Sequence, residues 1–205
     1  MKREILCYGD SNTHGYNAET LGGRLPYEAR WTGILAERLG ADFHIIEEGL
    51  NGRTTVFDDP TRESANGLTT LHPIMMTHEP LDTMIIMLGT NDTKDRFNAS
   101  AKVCGMGLKR LVEKALTVPA WRDGKPDIII VAPAPISPNI QDEGMGRECS
   151  QRSYGLAEEY RKVAELLHCR FLDAAPIAEV HPNDWIHLTR ASHVALAEAL
   201  WKMLR

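Results

Sequence analysis

Glu4-Ile5-Leu6-Cys7-Tyr8-Gly9-Asp10-Ser11-Asn12-Thr13-His14-Gly15-Tyr16 decides how this chain folds and where its chemistry sits. The apolar run Ile5 to Tyr8 halts at Gly9 and small polar residues follow. That pattern reads as a buried strand entering a tight turn. A helix starting near Ser11 would surround the hydroxyl with unpaired backbone N–H groups. Such a turn either presents a nucleophile or binds an anion, and the remaining residues must choose between the two.

Working outward, apolar strands alternate with helical patterns. Asn17 to Tyr27 carries Gly22, Gly23 and Pro26 and reads as loop. Arg30 to Leu39 is helical, with Gly40 where a C-cap belongs. Phe43–Glu47 is a second strand, and Gly67 to His78 a helix inside the long mixed stretch Gly49 to Pro80. Leu81 to Leu88 is the third strand, Ala99 to Leu116 a helix, and Asp127 to Ala132 the fourth strand. A Pro/Gly loop, Pro133 to Gly146, precedes a helix over Arg147 to Leu167 and a fifth strand over Cys169 to Leu172. Thr189 is a good N-cap for a last helix ending near Leu204. Continuous apolar strands separated by helices imply an α/β fold, a parallel sheet covered on both faces. Ligands bind beyond the carboxyl ends of such strands. The loops 17–27, 49–80 and 133–146 are expected to wall that edge.

Composition narrows the function classes. The chain has 205 residues, 43% hydrophobic and 25% charged, with a formal net charge of -5. One domain over 1–205 is expected. The absence of a Lys/Arg-rich run argues against nucleic acid and anionic membranes as partners. Cys7, Cys104, Cys149 and Cys169 form no CxxC pair and read as reduced thiols. Met1-Lys2-Arg3 leads straight into the first strand, without a signal-like apolar segment, so a cytoplasmic location is expected. Asp58-Asp59-Pro60 lacks partners at metal-ligand spacing and reads as a solvated turn.

Four polar groups stand at the strand ends: Gly9-Asp10-Ser11, Asn51-Gly52, Gly89-Thr90-Asn91-Asp92, and Asp184-Trp185-Ile186-His187. A Ser nucleophile needs a base, and an imidazole serves best when a carboxylate holds its other nitrogen. Asp184 stands three residues before His187, close enough to pair inside one loop. The Ser11 N–H, the Gly52 N–H and the Asn91 amide are candidate oxyanion donors from three strand ends. His14 is the rival base, one turn from Ser11 but without a carboxylate to orient it. His193 reads as structural, Asp10 as fixing the turn and Asp92 as a support. Each block has a plain reading too: Ser11 a helix cap, Gly52 and Asn91 turn residues. The elbow GxSxG is not matched, because Thr13 stands at its last position.

Together the four blocks resemble the SGNH, or GDSL, hydrolase family. Its Ser, Gly, Asn and His, in this order, are met by Ser11, Gly52, Asn91 and His187, and its Asp by Asp184. The resemblance covers nearly the whole chain. It implies a flavodoxin-like three-layer α/β/α sandwich with a central five-stranded sheet, and ester hydrolysis without metal or cofactor. Arg30-Trp31-Thr32-Gly33, Glu47-Glu48-Gly49-Leu50, Arg53-Thr54-Thr55 and Met87 to Lys94 look like the arylesterase and acyltransferase branch. That likeness implies a small-molecule ester substrate, a homo-oligomer, and acyl transfer to alcohols or peroxide. Asn12 stands where the family usually has Leu; with His14, Tyr16 and Ile186 it is a candidate for the substrate pocket. The rivals are a carbohydrate O-acetyl esterase using the same triad, a phosphate- or flavin-binding module using Gly9 to Gly15, and a Mg-dependent phosphatase using Asp10.

Overall fold

The computed structural model describes residues 2–205. Its centre is a parallel sheet of five strands: β1 (Arg3–Gly9), β2 (Phe43–Gly49), β3 (Thr83–Met87), β4 (Ile128–Ala132) and β5 (Arg170–Asp173). They lie in the order β2-β1-β3-β4-β5, the flavodoxin-like doubly wound order. The strand period of two splits each apolar run between two cores. Leu6, Tyr8, Met84, Ile86, Ile128 and Ile130 enter one core. Ile5, Cys7, Ile85, Met87, Ile129 and Val131 enter the other.

Helices cover both faces. α2 (Trp31–Leu39) and α7 (Arg190–Leu204) close the second core with Trp31, Leu35, Leu196 and Leu200. α3 (Gly67–Thr77), α4 (Ala101–Thr117) and α6 (Leu156–Leu166) close the first with Leu71, Leu108, Leu111 and Tyr160. Thr189 caps α7 as expected, its hydroxyl accepting from the Ser192 N–H at 3.1 Å. Among the described residues no helix is long and apolar enough to cross a membrane.

Register fixes where the polar blocks meet. Gly9 of β1 stands level with Gly49 of β2 and Met87 of β3. Ser11, Gly52 and Asn91 lie two to four residues beyond those positions, so all three come off the same edge of the sheet. One helix expected from period is broken: Arg147 to Leu167 divides into α5 (Cys149–Tyr154) and α6. The Gly155 N–H turns to the Arg152 carbonyl at 3.2 Å, tightening the last turn of α5. A Cβ on Gly155 would lie 2.7 Å from the Ala101 methyl, so glycine also admits the start of α4.

Candidate active site

The Ser11 turn is built by local constraints. Asp10 caps the single helical turn α1 (Ser11–His14), its Oδ1 accepting from the Asn12 N–H at 2.9 Å. The Gly15 N–H, on left-handed backbone, closes the turn onto the Ser11 carbonyl at 2.9 Å. Ser11 is thereby held at the sheet edge, 7% exposed. The helix start already faces the Asp10 carboxylate and α1 is one turn long, which weighs against a phosphate or flavin cradle there.

The loop before α7 supplies the imidazole. Asp184 Oδ1 accepts from the Ile186 and His187 N–H groups, each at 3.0 Å, while Oδ2 lies 2.8 Å from His187 Nδ1. Trp185 takes φ +64 to make this turn. His187 Nε2 lies 2.8 Å from Ser11 Oγ. Burial works to raise the Asp184 pKa, but the hydrogen bonds from His187 and Ile186 outweigh it and hold the carboxyl below its ordinary value. An ionised carboxylate only accepts, so Nδ1 carries the proton and Nε2 is left to accept from the Ser11 hydroxyl. The Tyr16 ring covers the imidazole, with centroids 4.2 Å apart.

The oxyanion candidates line the same cleft as Ser11 and His187, a space of about 260 Å³. Gly52 sits at φ +85, a left-handed position that favours glycine. Asn91 Nδ2 donates to the Arg53 carbonyl at 3.1 Å; an amide has two such hydrogens, so one is left for a ligand. Arg53 is buried, donates to the carbonyls of Gly9 (3.0 Å) and Glu48, and lies over the Tyr8 ring. It therefore ties the ends of β1 and β2 together beneath the site. Asp92 accepts from the Thr55 N–H at 3.0 Å and from the Thr55 hydroxyl. Burial pushes the carboxyls of Asp10 and Asp92 each up to about 6.

Of the pocket candidates, Tyr16 and Ile186 line the cleft, and Asn12 and His14 do not. Asn12 is buried and its Oδ1 accepts from the Leu188 N–H at 3.0 Å, tying the Ser11 turn to the His187 loop. The His14 ring is half-buried, beside Arg24 and bonded to Gly49; burial first, then Arg24, lowers its pKa. His193 is buried in α7, its Nδ1 accepting from the Trp31 N–H at 3.2 Å. Loops 49–80 and 133–146 contribute to the cleft wall, but 17–27 does not. Asn183 Nδ2 instead binds the carbonyls of Ala18 and Glu19, so loop 17–27 braces the His187 loop from behind.

Asp59 does not lie in the solvated turn expected of Asp58-Asp59-Pro60. It is buried, not solvated, and its carboxylate pairs with Lys94 Nζ at 3.1 Å and Arg96 Nη1 at 3.0 Å. Lys94, Arg96 and Arg62 line the cleft, and sequence reasoning gave none of them a role. Only Lys94, three residues after Asn91, carried a positional signal.

Comparison with known proteins places this geometry. Residues 7–195 match the GDSL-like lipase/acylhydrolase family. No curated protein matches. Among solved structures, the chain is similar to M. smegmatis aryl esterase at 38% identity, with a TM-score of 0.91 and coverage of 99% of this chain and 98% of that one. It is also similar to Est24, a carbohydrate acetylesterase from Sinorhizobium meliloti, at 37% identity and a TM-score of 0.92, covering 99% and 98%. A lipolytic G-D-S-L protein from Veillonella parvula, 18% identical with a TM-score of 0.70 over 99% of each chain, shares the fold. The chain belongs to the GDSL-like lipase/acylhydrolase family.

Proposed function

We propose that this protein is a serine esterase that hydrolyses short-chain aryl or alkyl esters through an acyl-enzyme on Ser11. The observation that carries the reading is the unbroken chain Asp184 Oδ2, His187, Ser11 Oγ, with 2.8 Å at each junction. His187 Nε2 takes the hydroxyl proton as Oγ bonds to the ester carbonyl carbon. The carbonyl electron pair moves to oxygen, and the N–H groups of Ser11 and Gly52 and the Asn91 amide donate hydrogen bonds to that oxyanion. When the tetrahedral centre collapses, the C–O bond to the alcohol breaks and Nε2 returns the proton to the leaving oxygen. Water then repeats the sequence on the acyl-enzyme and releases the acid.

Residues 1–205 act as one unit in this reading, since Ser11 and His187 come from opposite ends of the chain. Transfer to an alcohol or peroxide in place of water and a homo-oligomer belong to the same proposal, by likeness to the arylesterase branch, and a cytoplasmic location is proposed with them. A carbohydrate acetylesterase is the second reading, favoured by the likeness to Est24. Relative rates on phenyl acetate and an acetylated sugar separate the two. Ser11→Ala is expected to lower kcat on aryl acetates by about ten-thousandfold or more. Turnover near wild type by that variant would end the esterase reading.

A further inference from the structure

The cleft has a polarity that ester hydrolysis itself does not require. The protein is acidic overall, at -5, yet Arg62, Lys94 and Arg96 line the cleft against one lining carboxylate outside the triad, Asp142. Asp142 is occupied: its Oδ1 accepts from the Gly144 N–H at 2.7 Å and the Met145 N–H at 3.2 Å. Asp59 is buried and holds both Lys94 and Arg96. Arg96 also donates to Thr61 Oγ1 and the Gly144 carbonyl, each at 2.6 Å, which fixes three loops around the opening.

Asp59 and Asp142 together balance two of these three cations, which leaves one net positive charge in the cleft outside the triad, and Arg62 is the cation without an ion-pair partner among the described residues. Arg62 is exposed, and among the described residues no carboxylate lies within ion-pair distance of it. Its backbone N–H is anchored to the Asp59 carbonyl at 3.0 Å. Its side chain runs across Gly52, where an added Cβ would meet Arg62 Cδ at 2.6 Å and Nε at 2.9 Å. An unpartnered guanidinium thus lies over the backbone that supplies an oxyanion donor, in the same 260 Å³ space as Ser11.

We propose that the cleft selects esters carrying a second, negatively charged group such as a carboxylate, with Arg62 as the residue that binds it. This rests on the esterase reading above. Arg62 presents a rigid fork matched to a carboxylate, and the fixed Lys94–Asp59–Arg96 group adds net positive potential beside it. The charged group can sit on the acyl or the alcohol side of the ester, and the test separates these.

The experiment compares kcat/KM for near-isosteric pairs. On the acyl side the pair is para-nitrophenyl hydrogen glutarate and para-nitrophenyl valerate. On the alcohol side it is para-acetoxybenzoate and para-acetoxybenzamide. The expected result is a ratio of anionic to neutral ester, in one pair, that falls about tenfold in Arg62→Gln and further in Arg62→Glu, and that shrinks with added salt. The ratio removes any loss common to both esters. The same ratio in wild type and both variants would overturn the proposal, including the case where Arg62 serves the oxyanion and both esters slow together. Turnover of the neutral esters with unchanged ratios leaves the esterase reading standing and sinks this one. No turnover of any ester sinks both.

Discussion

The two walls of the cleft are held by different physics. On one side, Ser11 and His187 are placed by short-range backbone constraints: the Asp10 cap, the Gly15 closure, and Asp184 bonding its own loop. On the other, Lys94, Arg96 and the 59–62 turn are placed by ion pairs between residues at least thirty-five positions apart. Each half of the first wall keeps its shape because a few adjacent residues leave the chain little choice, and Asn12 and Asn183 then join the halves. The second exists only once the fold is complete, around one buried carboxylate. The catalytic wall should therefore respond to mutation in rate, and the cationic wall in stability and substrate choice.

The largest expected effect is on the first wall. Asp184→Asn removes the acceptor that fixes the imidazole tautomer, and kcat on aryl acetates should fall by about ten-thousandfold. Melting measured alongside should move little, because an amide oxygen still accepts from the Ile186 and His187 N–H groups. A rate within threefold of wild type would mean that His187 does not depend on this carboxylate.

Next is Asp59→Asn on the second wall. It leaves Lys94 buried without its counter-charge and should cost about 3 kcal/mol in denaturant unfolding at neutral pH. Burial acts to raise the Asp59 pKa, but bonds from Thr61 and Lys94 outweigh it and hold the carboxyl well below the usual range. A depressed folded-state pKa adds stability above the unfolded value and loses it as pH falls. The gap between wild type and variant should therefore be full at neutral pH and narrow below about pH 4. A gap that does not change with pH would break the contrast between the walls.

The smallest effect is expected behind Ser11. Asn12→Ala cuts the one side-chain tie from the Ser11 turn to Leu188, and kcat should fall about tenfold with KM little changed. An effect on KM alone would make Asn12 a substrate contact, against its burial behind Ser11.

The same division explains what could be read in the letters. Strand runs such as Ile128 to Val131, the Gly40 and Thr189 caps, and the ordered Ser11, Gly52, Asn91 and His187 blocks carry local signals. Their convergence follows from register in a parallel sheet. Asp59 looked like a solvated turn because its partners lie thirty-five and thirty-seven residues downstream. The break at Gly155 was hidden by an uninterrupted helical pattern, and the Ala101 methyl that leaves no room for a Cβ there comes from another helix. Asn12 showed as a pocket candidate because adjacency to Ser11 says nothing about which way a side chain turns. Arg62 has no local signature at all; it gains meaning only from lying over Gly52.

The most direct test is covalent. An activated organophosphonate should label the wild-type protein once, and peptide mass mapping should place the adduct on Ser11, with labelling abolished in Ser11→Ala and slowed in His187→Ala. An adduct on a different hydroxyl, or labelling that is indifferent to His187, would contradict a nucleophile at residue 11 activated from the far end of the chain.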